Sequence, residues 1–136
     1  MSDLPLTGGC LCGGVRFEVT APLESASYCH CTRCQRRSGT AASVQGRVAA
    51  GSFRFLAGEE LVREFPVEDG WSKCFCSGCG SQLWSRDPSG GGLSIRFGTF
   101  DRDPGIRPQY RQFVAYAAPW EPIPDDGLPR YDERKS

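Results

Sequence analysis

The sequence predicts a mainly β fold of about eight short strands, stabilised by bound metal as much as by its core. Three observations carry this. Several short runs alternate apolar and polar residues with a period of two, and no segment keeps a long 3.6-residue apolar period. Seventeen Gly and ten Pro punctuate the chain. Leu, Ile, Val and Phe supply only 27 of the 136 residues, a thin core for one domain, whereas eight Cys offer another source of stability.

The first run places Val15, Phe17 and Val19 on one face and Arg16, Glu18 and Thr20 on the other, after a Gly13-Gly14 turn. Phe53 and Phe55 flank Arg54 in the next, which ends at Gly58. Leu61 and Phe65 share a face around Arg63, before Asp69-Gly70. Leu93, Ile95 and Phe97 alternate with Ser94 and Arg96, between Gly90-Gly91-Gly92 and Pro104-Gly105. A single helical turn is expected after Cys31, from Thr32 to Arg37, with Gly39 stopping it. Residues 119–136 change character, being rich in Pro and charge. They read as a C-terminal arm lying over the body, anchored by Trp120 and Tyr131, or as a frayed tail. Residues 1–136 are expected to form one domain.

Sixteen basic residues balance sixteen acidic ones, which removes the simplest case for a nucleic-acid binder. No apolar run approaches the roughly 20 residues of a membrane helix. Met1-Ser2-Asp3-Leu4-Pro5-Leu6 has neither a basic n-region nor an apolar h-region, so a cytoplasmic location is expected. In that compartment eight Cys read as metal ligands or reactive thiols before they read as disulfides.

The Cys fall into three clusters. Cys76-x-x-Cys79-Gly80 has the form of a zinc knuckle, a tight turn that brings two sulfurs to one ion, with Gly78 and Gly80 able to take positive φ. A closed site needs two more ligands. Cys10-x-Cys12 supplies them if an extended backbone points both sulfurs to one side, with flanking Gly pairs letting the chain bend around the ion. Cys10, Cys12, Cys76 and Cys79 would then form a four-thiolate structural zinc site, closing a loop of over sixty residues. Such a site supplies on the order of 10 kcal/mol of folding free energy.

The middle cluster, Cys29-x-Cys31-x-x-Cys34, offers three thiols in six residues, and three protein ligands with an open fourth position is the arrangement of a catalytic zinc. Arg33, Arg36 and Arg37 beside it balance the charge of three thiolates or grip carboxylates of an acidic substrate. A second closed site is the rival reading, with Cys74 or His30 as fourth ligand. His30, the only His, would point away from Cys29 and Cys31 in extended geometry, as a packed or hydrogen-bonding neighbour. Cys74 is a further thiol near the structural zinc, a ligand of the other one, or a free thiol.

Three ordered motifs, Gly9-Cys10-Leu11-Cys12-Gly13-Gly14-Val15, Tyr28-Cys29-His30-Cys31-Thr32-Arg33-Cys34-Gln35-Arg36-Arg37-Ser38-Gly39 and Phe75-Cys76-Ser77-Gly78-Cys79-Gly80-Ser81, resemble the glutathione-dependent formaldehyde-activating enzyme (GFA) family, which centromere protein V also resembles. Pro119-Trp120 and Asp126-Gly127-Leu128-Pro129 look like the family's C-terminal end. The resemblance implies a β-tent type zinc fold of small stacked antiparallel sheets, shared with a Rab-exchange accessory factor, with little or no helix. It implies two zincs per chain, one structural and one catalytic, on the Cys sets named above. It also implies addition of glutathione to formaldehyde, giving S-hydroxymethylglutathione, classed as a carbon–sulfur lyase for the reverse direction. Cys74 departs from the family's pattern.

The leading expectation is therefore a cytoplasmic zinc enzyme that joins or splits a thiol and a small aldehyde. Cys29, Cys31 and Cys34 would be the catalytic set, and Arg33, Arg36, Arg37 or Lys73 would hold substrate carboxylates. The alternatives are a non-catalytic zinc module that binds protein or nucleic acid, and a thiol–disulfide protein using the CxxC units.

Overall fold

A computed structural model describes residues 4–135. Two sheets share one core. The first is three-stranded and antiparallel, with β1 (Leu6–Gly9) and β5 (Phe53–Ala57) on either side of β2 (Arg16–Val19). The second has seven strands in the order β10 (Arg111–Gln112), β3 (Ser25–Cys29), β4 (Ser43–Arg47), β9 (Leu93–Arg96), β8 (Gln82–Arg86), β7 (Ser72–Cys76) and β6 (Val62–Phe65). Every neighbouring pair there is antiparallel except β10 with β3. The fold is mainly β, as expected, with ten strands among the described residues where about eight were expected. The two-residue β10 carries no alternation long enough to read.

The alternating runs pack as their apolar faces require. Val15, Phe17 and Val19 are fully buried, and so is Ile95. Phe17 meets the edge of Trp84 with ring centres 5.7 Å apart, and Phe53 meets the same ring at 5.0 Å. The core thus lies between the small sheet and one face of the large one. Glu18 is buried as well, because Arg54 on the neighbouring strand donates to its carboxylate. Phe65 departs from expectation: it is 62% exposed on the edge strand.

Among the described residues one α-helix forms, α1 (Thr32–Ser38), and it follows its sequence signals. Cys31 is its N-cap, in extended conformation, and its sulfur accepts from the Cys34 N–H at 3.3 Å in place of the usual oxygen cap. Gly39 ends it at φ 69°, its N–H bonding to Gln35 O.

The C-terminal segment runs alongside β10 at the edge of the large sheet, with Arg130 bridged in parallel to Arg111. Arg111 N donates to Pro129 O and Tyr131 N donates to Arg111 O, while Arg111 grips Asp126 at 2.8 and 3.2 Å. The Tyr131 ring packs edge-on against Tyr110. Trp120, expected as an anchor, is 65% exposed, so backbone bonds and the buried Arg111 hold the segment instead. Among the described residues no helix is long and apolar enough to cross a membrane.

Candidate metal centre

Seven of the eight Cys converge in two groups, within each of which the sulfurs lie no more than 4.8 Å apart. Cys10, Cys12, Cys76 and Cys79 form the first. Cys76 ends β7, and the turn after it closes through Gly80 N to Cys76 O at 2.8 Å, with Gly80 at φ 79°. Of the two glycines expected to need positive φ, only Gly80 takes it. Gly78 N instead donates to Cys76 Sγ at 3.3 Å. Cys10 and Cys12 meet for a different reason from the expected one. They lie past the end of β1, in a second tight turn closed by Gly13 N to Cys10 O at 3.1 Å. Val15 N donates to Cys10 Sγ at 3.3 Å, so each turn aims a backbone N–H at a sulfur.

Ser81 joins the two turns. Its hydroxyl accepts from Leu11 N at 2.9 Å and bonds Cys79 Sγ at 3.2 Å, which with the Ser81 N–H holds the Cys79 thiol down at about 5. Sequence reasoning missed this residue, although it directly follows the knuckle.

The second group is Cys29, Cys31 and Cys34. The last residue of β3, the N-cap of α1 and the first turn of α1 bring them together. Neither His30 nor Cys74 joins either group. His30 is buried, and its Nε2 lies 3.1 Å from Arg111 Nη1. A guanidinium only donates, so Nε2 accepts and the neutral ring carries its proton on Nδ1. Burial, with Arg111 and Arg130 nearby, pushes its pKa down. Cys74 faces the apolar core beside Trp84 and Leu83, and burial pushes its thiol up. It is a core thiol.

Both groups suit a thiophilic divalent cation. With Zn–S near 2.3 Å, tetrahedral geometry puts sulfurs about 3.8 Å apart. The observed separations are 3.5 Å for Cys10–Cys12 and 3.9 Å for Cys12–Cys76. In the trio, bonds from Cys29 and Cys31 hold the Cys34 thiol far down, helped by Ser43 and Arg96. Bonds to Cys31 and Cys34, and then burial, drive the Cys29 thiol far up. Although the bond to Cys29 lowers it, the Cys31 thiol is on balance also pushed up, by Cys34 and by burial, so sulfurs this close do not all ionise by themselves; a divalent cation among them would let all three do so.

The trio lines a cleft of about 550 Å³. Its wall carries six cationic side chains, Arg33, Arg47, Lys73, Arg96, Arg134 and Lys135, and one carboxylate, Asp69. Of the basic residues singled out in sequence, Arg33 and Lys73 line the cleft and Arg36 and Arg37 do not. Arg36 is exposed. Arg37 turns inward, its guanidinium donating to the carbonyls of Cys74 and Trp84, and so ties α1 to β7 and β8. Sequence reasoning missed Ser27, Gln45, Ser85 and Arg96, which line the cleft and are each more than 90% buried. The signal was present in the alternation, whose polar partners face this cleft rather than open solvent.

The family profile described as glutathione-dependent formaldehyde-activating enzyme matches residues 5–116. A Halomonas elongata protein bearing the provisional name of a glutathione-dependent formaldehyde-activating enzyme is 32% identical over 89 residues. That match covers 61% of this chain and 57% of the relative's length. A crystal structure of a Rhodobacter sphaeroides protein superposes with a TM-score of 0.59 over 92% of this chain and 98% of that one, at 20% identity, which speaks for the fold alone. With the profile spanning most of its length, the chain belongs to the glutathione-dependent formaldehyde-activating enzyme family.

Proposed function

We propose that this chain is a zinc-dependent carbon–sulfur lyase that adds a thiol such as glutathione to formaldehyde or a related small aldehyde. The observation that carries this is the placement of Cys29, Cys31 and Cys34 in the wall of a cation-rich cleft, while the four-thiol group sits apart from it. In the addition a sulfur–carbon bond forms, the carbonyl π bond breaks, and the thiol's proton ends on oxygen. The reverse step is the lyase reaction.

Cys29, Cys31 and Cys34 would hold the catalytic zinc, and Cys10, Cys12, Cys76 and Cys79 a structural one. Bound zinc lowers the pKa of a thiol and polarises a carbonyl. The chain's own contribution is position and charge. The Cys31 cap fixes one sulfur of the trio to the start of α1 through the Cys34 N–H. Arg33 at the mouth and the basic residues of the C-terminal segment draw in an anionic thiol. Gln35 donates to His30 O at 2.8 Å and to Tyr116 O at 2.9 Å, which clamps the loop carrying the trio against the segment before the arm. The proposed setting is the cytoplasm, where glutathione and small aldehydes meet.

Exchange NMR between glutathione and S-hydroxymethylglutathione tests the reading. Zinc-loaded protein should speed exchange above the rate in buffer, and Cys34→Ser should abolish the gain. Equal rates with and without the zinc-loaded protein would remove the glutathione–formaldehyde version.

A further inference from the structure

The large sheet separates two clefts, because successive side chains of a strand point to opposite faces. On β7, Lys73 lines the cleft that holds the trio, and Cys74 lines a second one of about 510 Å³. On β8 the corresponding pair is Ser85 and Trp84, and on β9 it is Ser94 and Leu93. Phe53 and Phe55, from edge strand β5 of the small sheet, form the other wall of the second cleft.

The two clefts differ in chemistry. The first is strongly cationic, whereas the second is apolar inside and acidic at its rim. Its inner wall is aromatic: the Trp84 ring lies 5.0 Å from Phe53 and 5.7 Å from Phe55, centre to centre, both steeply inclined to it. The Trp84 indole N–H donates to the Cys74 thiol, so these two residues offer a ligand no free polar group. Phe53, Phe55 and Val62 are half-buried, which leaves ring edges and a methyl surface for a ligand to touch without opening the core. At the rim Arg86 donates to both carboxylate oxygens of Glu64, at 3.1 and 2.8 Å, and the two charges cancel. Glu59, in the turn before β6, is exposed and makes no ion pair among the described residues. The nearby Arg63 spends its Nη1 on the carbonyls of Glu60 and Val62 and not on this carboxylate. An aromatic-walled slot with one uncompensated negative charge at its mouth suits a ligand with a ring at one end and a cation at the other.

We propose that this second cleft, on the face of the sheet opposite the trio, binds small arylalkylammonium ions, with the ring against Phe53, Phe55 and Val62 and the ammonium at Glu59. The ring contact fixes where the ligand sits, and the charge fixes which way round it enters. Neither contact is strong by itself, because an exposed ion pair and one ring–ring contact are each modest.

The test follows the indole N–H signals of the zinc-loaded protein by NMR. Trp84 is assigned by its loss in Trp84→Phe, and Trp71, which lines the first cleft, by its loss in Trp71→Phe. Phenethylammonium should move the Trp84 signal saturably and leave Trp71 in place. Its neutral counterpart 2-phenylethanol and the ringless butylammonium should each bind about fivefold more weakly. Glu59→Gln should bring phenethylammonium down to the level of 2-phenylethanol, and Val62→Trp, which fills the slot, should weaken both aromatic probes about tenfold. Movement of Trp71 in place of Trp84, no saturable movement, or equal affinity for phenethylammonium and 2-phenylethanol in the wild type each overturns the proposal. So does wild-type phenethylammonium affinity in Glu59→Gln, an exposed position whose substitution leaves the core intact and which decides alone should Val62→Trp fail to fold.

Discussion

Replacing Arg111 by Met should loosen the trio from behind without touching a sulfur. Arg111 is 6% exposed, its guanidinium lies 3.9 Å from the centre of the Tyr28 ring, and it donates to His30 Nε2 at 3.1 Å. Met fills much of the same volume, so the cavity left behind is small. The desolvated cation–π contact is lost, at about 1–2 kcal/mol. His30 keeps a buried ring nitrogen without its partner, at about 1–2 kcal/mol more. Asp126 adds little, because water takes over its partly exposed carboxylate. The expected loss is about 3 kcal/mol, read from urea unfolding of the zinc-loaded protein. His30 lies between Cys29 and Cys31 in the chain, so its displacement should also weaken metal retention there about tenfold in chelator competition, with the four-thiol group unchanged. A loss below about 1 kcal/mol together with unchanged chelator competition would refute the reasoning.

Three further outcomes follow from particular contacts. Cys74→Ala should lower stability by about 1 kcal/mol through a small core cavity while leaving the zinc count per chain unchanged; loss of a zinc would return Cys74 to the ligand set. Gly58→Ala should cost at least about 2 kcal/mol, because Gly58 has φ 80° and an added Cβ would lie 2.0 Å from Gly14 O. A thermal melt indistinguishable from the wild type would show that this turn relaxes freely. Asp101 is held down at about 2 by Arg16 and then by Thr7, so its folded pKa lies below its unfolded value of about 4. Its contribution is therefore present above about pH 4 and lost as the pH falls towards 2. Asp101→Asn should melt below the wild type at pH 6, with the gap closing near pH 2; a gap that persists there contradicts the ion-pair account.

The apolar half of each strand was readable because period-two alternation names the residues that share a face. It does not say which face meets water. Ser94 and Arg96 alternate with Leu93 and Ile95 as a polar face would, yet Arg96 is only 7% exposed, in the wall of the cleft it shares with Arg33 and Cys34 of α1 and with Arg134 and Lys135. Spacing grouped the thiols within each motif, since two Cys two or three positions apart need only a local bend to meet. The kind of bend was not readable: Cys10 and Cys12 converge through a turn, not through an extended strand. Long-range partners were hidden for the same reason. Arg37 is one of three basic side chains on α1, and only the fold shows that its guanidinium reaches the main-chain carbonyls of Cys74 and Trp84 while Arg33 lines the cleft. Trp120 read as an anchor by its size, but the arm is held by Arg111, which lies in none of the three Cys motifs and carries no signal in sequence.

The zinc count per chain, taken by native mass spectrometry on the wild type, Cys34→Ser and Cys79→Ser, tests the central claim most directly. Two separate thiol groups with separate tasks predict two zincs in the wild type. Cys34→Ser should keep one zinc and a folded chain, with the cleft's metal gone, whereas Cys79→Ser should lose the metal that ties β1 to β7 and unfold at lower temperature. One zinc in the wild type, or two retained in Cys34→Ser, would contradict the account.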